Sequence, residues 1–405
     1  MGGAVGHLMH LYDDHNLTFQ EIVDILKSAA DGTLENVTEK FDGLNLVFSW
    51  DISSDSLKVA RAGGDIKRGG MDATSLAAKF SGRGDLATTF NSAFETVDTA
   101  IRSLPFKKKK QVFGAKSNRW YSMEIIDSKN SNVINYDYSA IIFHAWPSFV
   151  VQSDGSVEMT TDDISGIATL VEHVESMNLF GWKLLGPAKV NFTKRLDDSL
   201  MSQTATTIEA ELSSLGLNLS STLHNYIEKK LRHDISGLNL SDDITTMMVN
   251  RCLSNPGAPT LVGIKKIANK SNHRTITEFI KSSEKRLKSY IRPIEIAIND
   301  FATGLLKNVK STLIVDSKKE INRLQEETER AIGFIKSCDD KTAIDILTLQ
   351  MQKLKSTRNV SSSVEGIVFL RGNNAYKFTG NFAAMGQILG LFKYGRGGVK
   401  LKMAS

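Results

Sequence analysis

Lys40, Asp42 and Gly43 stand together in Thr38-Glu39-Lys40-Phe41-Asp42-Gly43-Leu44-Asn45, and two further acids and an amine, Glu124, Glu365 and Lys377, recur far downstream in apolar or aromatic runs. An amine is a nucleophile only when neutral. A lysine with the usual pKa near 10.4 is about one part in a thousand neutral at physiological pH. Desolvation and a neighbouring cation lower that pKa, to roughly 8 in a favourable setting, and so make the amine reactive. Carboxylates have the hard oxygens that Mg²⁺ or Mn²⁺ takes, which is the metal chemistry that phosphoryl groups call for. Glycine lets another chain or a ligand approach the backbone closely.

These residues need elements to hold them. Leu44 to Trp50 alternates as a strand with Leu46, Phe48 and Trp50 on one face. Leu57 to Ala62 reads as a second strand, joined to the first by an acidic, serine-rich turn. Trp120 to Ile126 and Ile141 to Trp146 are further strands, rich in β-branched and aromatic residues. Upstream, Thr18 and Glu21 form a capping box, Leu17 and Ile22 can close a hydrophobic staple, and Gly32 follows the last turn. The resulting helix, with Phe19, Ile22, Ile25, Leu26 and Ala29 on one side, is expected to pack on the sheet. From Asp154 to Lys355 the pattern becomes helical, as in Ile294, Ile298, Phe301 and Leu305 or Ile344, Leu347, Met351 and Leu354. Pro293 kinks or begins one of these helices, and Asn255-Pro256-Gly257 is a loop between two others. Strands return at Ile367 to Phe369 and Ala375 to Phe378, where the chain is expected to complete the same sheet. Glu365-Gly366 before that apolar run puts a charge at the mouth of a buried strand.

Bulk properties exclude several classes. The 405 residues allow two domains or one elaborated domain, and 41% hydrophobic with 23% charged residues is ordinary for a globular protein. No apolar run reaches the roughly 18 residues that span a bilayer, and no signal peptide is evident, so no membrane association is expected. Two cysteines do not make a disulfide framework and fit a reducing cytoplasm. A net charge of +5 permits nucleic-acid binding without demanding it. His7, His10 and His15 lack metal-ligand spacing. The run Lys107 to Lys110 reads as a basic loop, and Gly395-Arg396-Gly397-Gly398 with Lys393, Lys400 and Lys402 as a basic tail suited to nucleic acid.

Taken in order, Lys40-x-Asp42-Gly43, Arg61, Trp120-Tyr-Ser-Met-Glu124, Ile141-Ile-Phe143-His144-Ala-Trp146, Val364-Glu365-Gly366-Ile-Val-Phe369 and Ala375-Tyr-Lys377 resemble the covalent nucleotidyltransferase superfamily of DNA ligases, RNA ligases and capping enzymes. Thr38-Glu39 before the lysine and Asn45 after the glycine look most like phage-type RNA-repair ligases. The resemblance covers the first 150 residues or so and the last forty. It implies an α+β fold: a mixed or antiparallel-sheet adenylation core over residues 1–153 and 356–405, interrupted by a helical insertion at 154–355. It further implies that Lys40 takes AMP from ATP through a phosphoramide bond, with Lys377 beside it to lower its pKa and hold the α-phosphate. Glu124 would lie near the ribose and metal, and Glu365 would assist the metal, Mg²⁺ or Mn²⁺. Asp42 would orient the loop, Gly43 admit the nucleotide and Asn45 complete the pocket. Phe143, or else Trp146, would stack on the purine, and Glu39 could read the adenine amino group. Arg61 would contact the ribose or a nucleic-acid end, unless it is a surface arginine; Arg83 is a weaker candidate of the same kind.

Two departures bear on function. The family's last element has a second lysine two residues after the first, whereas here Phe378 and Thr379 follow Lys377, leaving the contact absent or supplied by a residue such as Lys393. The stretch after Lys377 is also too short for the C-terminal β-barrel of DNA ligases and capping enzymes, which RNA-repair ligases can do without. The expectation is therefore an ATP-dependent RNA ligase joining 5′-phosphate to 3′-hydroxyl ends, with RNA favoured over DNA, acting in a host cytoplasm if encoded by a phage. The alternatives are a non-catalytic ligase-like scaffold whose insertion binds a protein partner in phage assembly, and a nucleotidyltransferase with a non-nucleic-acid acceptor.

Overall fold

The computed structural model describes residues 8–160, 164–190, 192, 196, 198–336, 341–354 and 362–394. The chain is mixed α/β and groups into two compact units. The first comprises residues 1–9, 34–194 and 302–405; the second comprises 10–33 and 195–301.

Among the described residues there are ten strands, all in the first unit. They are β1 (Thr38–Lys40), β2 (Leu44–Asp51), β3 (Ser56–Ala60), β4 (Arg119–Ile126), β5 (Ala140–Val151), β6 (Val157–Thr160), β7 (Asn178–Leu179), β8 (Trp182–Leu185), β9 (Gly366–Arg371) and β10 (Asn374–Phe378). Seven form a mixed sheet in the order β3-β2-β4-β5-β8-β7, with β6 also on β5. The β5–β8 pair is parallel and the other pairs are antiparallel. The sheet was expected to be completed by β9 and β10, but these instead pair with β1 in a separate three-stranded sheet ordered β1-β9-β10. Three residues are too short a run for β1 to announce itself by alternation.

Alternation along β2 sends Leu46, Phe48 and Trp50 to one side of the large sheet. There they join Tyr121, Met123, Phe143 and the buried side of the helix Asp85–Arg102, including Phe90, Val97 and Ile101. Burying each large apolar side chain contributes about 1.5–3 kcal/mol, so this layer fixes which way the remaining sheet residues point. Residues 154–355 are not wholly helical: β6, β7 and β8 extend the large sheet, and Trp182 and Leu184 reach its core. The helices Ser317–Lys336 and Lys341–Leu354 pack through Leu324, Ala331, Ile335 and Leu347 onto Met385 and Ile388 of the helix Phe382–Tyr394, within the first unit. The first unit therefore takes in residues up to 194 and from 302 onward, apart from 10–33.

The second unit contains the helix Phe19–Ala30. Its capping box forms as the sequence implies: Glu21 N–H donates to Thr18 Oγ1 (3.1 Å) and Thr18 N–H to Glu21 Oε2 (2.8 Å). Its apolar side is covered within this unit. Phe19 packs edge-on against Tyr226 at 5.8 Å, and the chain pairs with residues 219–222. An amphipathic pattern states that a face needs covering and leaves open what covers it. Asn255-Pro256-Gly257 joins two helices as expected, and Pro293 lies inside the helix Ser283–Leu306. The run Lys107–Lys110 is helical, within Phe106–Phe113. Lys109 is buried there, 2.9 Å from Asp55 Oδ1 and 4.4 Å from the Trp50 ring centre, and so is not a loop lysine facing solvent. The basic tail from 395 onward and His7 lie outside the described residues. Among the described residues no helix is long and apolar enough to cross a membrane.

Candidate active site

The three-stranded sheet sets the two lysines. Lys40 lies opposite Gly366, and both Thr38 and Lys377 lie opposite Val368. Directly paired residues share a face and next-nearest residues on a strand do too, so Lys40 and Lys377 occupy the same face. Gly366 is required at the centre. A Cβ there would meet the Phe378 carbonyl oxygen at 2.2 Å. Its neighbour Glu365, just before β9, places both carboxylate oxygens 2.7 Å from Lys40 Nζ.

The large sheet contributes Glu124, with Asn45 as its ladder partner and therefore on its face. Glu124 Oε1 accepts from Gly43 N–H at 3.1 Å, and Oε2 lies 3.6 Å from His144 Nε2. Gly43 permits this contact. A Cβ would lie 2.6 Å from Ile126 Cδ1, 2.7 Å from the Ile125 carbonyl oxygen and 2.8 Å from Glu124 Cγ. The glycine of the motif therefore serves the approach of β4, beyond any service to a ligand.

Asp42 is buried and occupied. Its carboxylate accepts from Asn132 Nδ2 (2.6 Å), Val133 N–H (2.7 Å) and Ile134 N–H (2.9 Å), while its own N–H donates to Tyr136 Oη (2.8 Å). It anchors the turn between β1 and β2 to the loop after β4, and its oxygens are taken up by protein donors. Burial pushes its carboxyl up despite those donors and Lys40.

Charge around Lys40 is unbalanced. Burial disfavours the ammonium, but Glu365 and Glu124 outweigh it, so Lys40 is held above the ordinary lysine value. This reverses the expected depression by a neighbouring cation: after burial, the strongest influences on Lys40 are the carboxylates of Glu365 and Glu124. Burial, together with Asp42 and Glu124, outweighs Lys40 at Glu365, and pushes its carboxyl up to about 7. One ammonium facing several acids is a site with room for further positive charge. Glu124 and Glu365 offer hard oxygens, and Mg²⁺ is commonly held by one or two carboxylates plus a substrate's phosphates. The donor set fits that arrangement. Among the described residues no group of three His, Cys, Asp or Glu forms a cage by itself.

Other expected residues lie elsewhere. Glu39 follows strand alternation onto the face opposite Lys40, with Ile367 and Phe378. It is buried, and accepts from Ser311 Oγ, Thr312 N–H and Thr312 Oγ1, each at 2.8 Å, so its oxygens are not directed at a base beside Lys40. Phe143 is 0% exposed, 5.3 Å from the Phe48 ring on the core side of the large sheet, and so cannot stack on a ligand. Trp146 packs with Val368 and Ala375. Arg61 donates from Nη1 to the Asn45 carbonyl and lies over the Phe90 ring at 5.7 Å. Arg83 lies over Phe80 at 5.3 Å.

Comparison with known proteins finds no matching family model, no matching curated protein and no matching solved structure. The site thus rests on its own geometry. That geometry adds residues the sequence reading passed over. His144 could have been found, because it neighbours the core residue Phe143 and must face the other way. Tyr136 and Ser311 carry no such signal.

Proposed function

We propose that the chain is an ATP-dependent RNA ligase with a nucleotidyltransferase core, and that Lys40 is its nucleophile. The observation that carries this reading is the convergence of Glu365 and Glu124 on Lys40 from opposite parts of the sequence, with Lys377 on the same face of the small sheet. In the first step Lys40 Nζ loses a proton and attacks the α-phosphorus of ATP; the bond to the β-phosphate oxygen breaks and pyrophosphate leaves. An RNA 5′-phosphate oxygen then attacks the same phosphorus and displaces the lysine. A 3′-hydroxyl attacks the activated 5′-phosphate, releasing AMP and forming the phosphodiester. Glu365 fixes the position of Nζ, and Lys377 offers positive charge to phosphate oxygens on that face. A divalent ion held by Glu124 and Glu365 would screen the triphosphate.

The test is incubation with α-labelled ATP or GTP and Mg²⁺. Label is expected on the protein from ATP, absent in Lys40→Ala, and transferable to 5′-phosphorylated RNA. A wild-type chain left unlabelled by both nucleotides overturns the reading. One observation favours the second reading, a ligase-like scaffold: the surroundings of Lys40 stabilise its ammonium rather than the reactive amine. A co-purifying protein partner without labelling would support it.

A further inference from the structure

Positive charge is concentrated in one short part of the second unit. Residues 261–292 hold nine Lys and Arg against two Glu, an excess of seven, whereas the whole chain carries only +5. The other residues together are therefore slightly acidic. This stretch forms the helix Leu261–Ile267, a short turn at Lys270–Asn272, the helix His273–Lys281 and the start of Ser283–Leu306. Ile264, Ile276 and Phe279 point into the unit, which leaves Lys266, Lys270, Lys281 and Lys285 exposed on the outside.

Both acids are already engaged, Glu278 with Arg274 at 2.8 Å and Glu284 with Lys288 at 2.9 Å. Lys265, Lys266, Lys270, Lys281 and Lys285 have no ion pair among the described residues. A surface built only for solubility intersperses both signs. Here neutral hydrogen-bonding side chains stand between the lysines instead: Asn269, Ser271 and Thr275 are exposed. Lysines interleaved with amide and hydroxyl donors are the groups that bind phosphate oxygens along a nucleic-acid backbone. Exposed apolar residues are few, Val262 and Ile267 on a seven-residue helix, which is little to insert into a lipid surface.

We propose that residues 261–292 form a sequence-independent binding surface for the phosphate backbone of RNA. Charge and donor chemistry call for a polyphosphate, and the choice of RNA rests on the ligase reading.

The test uses the full chain carrying Lys265→Gln, Lys266→Gln, Lys270→Gln, Lys281→Gln and Lys285→Gln, with circular dichroism to check folding. A labelled, 5′-phosphorylated single-stranded RNA is titrated at several salt concentrations. Each lost phosphate contact lowers the slope of log K against log salt by about 0.7, so the variant's slope should fall by up to roughly 3.5, with affinity down at least about tenfold. Two partial variants, at Lys265, Lys266 and Lys270 or at Lys281 and Lys285, should each give part of the change if the fivefold variant misfolds. Lys318→Gln with Lys319→Gln, exposed lysines of the first unit, should leave both quantities unmoved. Unchanged RNA affinity and slope in folded variants overturns the proposal, as does wild-type binding to phosphatidylserine vesicles but not to RNA. Self-labelling with ATP is read in parallel. Its absence from the wild type strikes the ligase reading alone, while its retention in the variants places the loss in RNA binding.

Discussion

Lys40 Nζ lies 2.7 Å from both carboxylate oxygens of Glu365, although the two residues are 325 positions apart in the chain. The pair joins β1 to the residue just before β9, its sheet neighbour, and closes the candidate site from the side of the small sheet. Lys40 retains 25% side-chain exposure and Glu365 15%, so a ligand can still reach them. An ion pair of this kind holds the amine in place and keeps it protonated. Any reaction at Nζ must first separate the lysine from its proton.

Replacing Glu365 with glutamine should therefore raise the intrinsic reactivity of Lys40. The largest single influence on the lysine is burial, which favours the neutral amine, and Glu365 is the first of the carboxylates opposing it. With that carboxylate gone, the Lys40 pKa should fall. Competitive acetylation at pH 7, followed by peptide mass spectrometry, should show Lys40 modified several-fold faster in Glu365→Gln than in the wild type. An equal or slower rate would mean that Glu365 does not govern the amine. Lysyl-AMP formation should nevertheless decline, because the same carboxylate positions Nζ.

Gly43→Ala should be damaging where Gly333→Ala is not. At Gly43 the new methyl would lie 2.7 Å from a backbone carbonyl of β4, which cannot move without disturbing the strand that carries Glu124. Overpacking of this kind costs about 1–3 kcal/mol. Gly333 sits in the helix Ser317–Lys336 with nothing within 4 Å of its Cβ position, so alanine there should stabilise by roughly 0.5–1 kcal/mol. Urea unfolding of the two variants should move in opposite directions.

How much of this was legible differs by residue. Glu124 and Glu365 could be named from the sequence because each stands in or at the mouth of an apolar strand run where a charge is costly without a purpose, whereas Lys40 was named by the order of the motifs it heads. The alternation rule also contained the answer for His144, which adjoins the core residue Phe143, and for Glu39 once β1 is known to be a strand. Applied to Glu39, the rule excludes it from the side of Lys40. Partners of Asp42 were not legible. They come from the backbone of residues 133 and 134, and backbone donors leave no mark on side-chain identity. The strands between 154 and 185 were hidden for a different reason: β8 pairs with β5 through only three positions, too short a run to distinguish from a helix segment.

Glu39→Gln should alter stability without altering nucleotide choice. Its carboxylate receives three hydrogen bonds from Ser311 and Thr312 while nearly fully buried. A glutamine amide turns a donor toward those donors, which costs about 1–3 kcal/mol. The ratio of ATP to GTP labelling should remain that of the wild type. A shift in that ratio in a folded variant would return Glu39 to base recognition and contradict its position on the far face.

Asp65 provides a pH-dependent prediction away from the candidate site. It is buried in the turn after β3 and accepts from Arg61 N–H and Ala62 N–H at 3.1 Å, Arg68 Nη2 at 2.7 Å and Lys79 Nζ at 2.7 Å. Burial opposes its charge, but Lys79 and the backbone donors outweigh it and hold the carboxyl below the ordinary aspartate value. A carboxyl depressed in the folded state binds its proton more readily when unfolded. Its stabilisation is therefore complete above the unfolded value, about 3.9, and is lost as pH falls through the lower folded value. Asp65→Asn should unfold at lower urea than the wild type at pH 7, by about 1.5–3 kcal/mol for hydrogen bonds to a charged group. Below about pH 3.9 the two curves should draw together, because the wild-type carboxyl is then being protonated as well. A gap that stays constant from pH 7 down to acid unfolding would show that the charge on Asp65 contributes nothing to this turn.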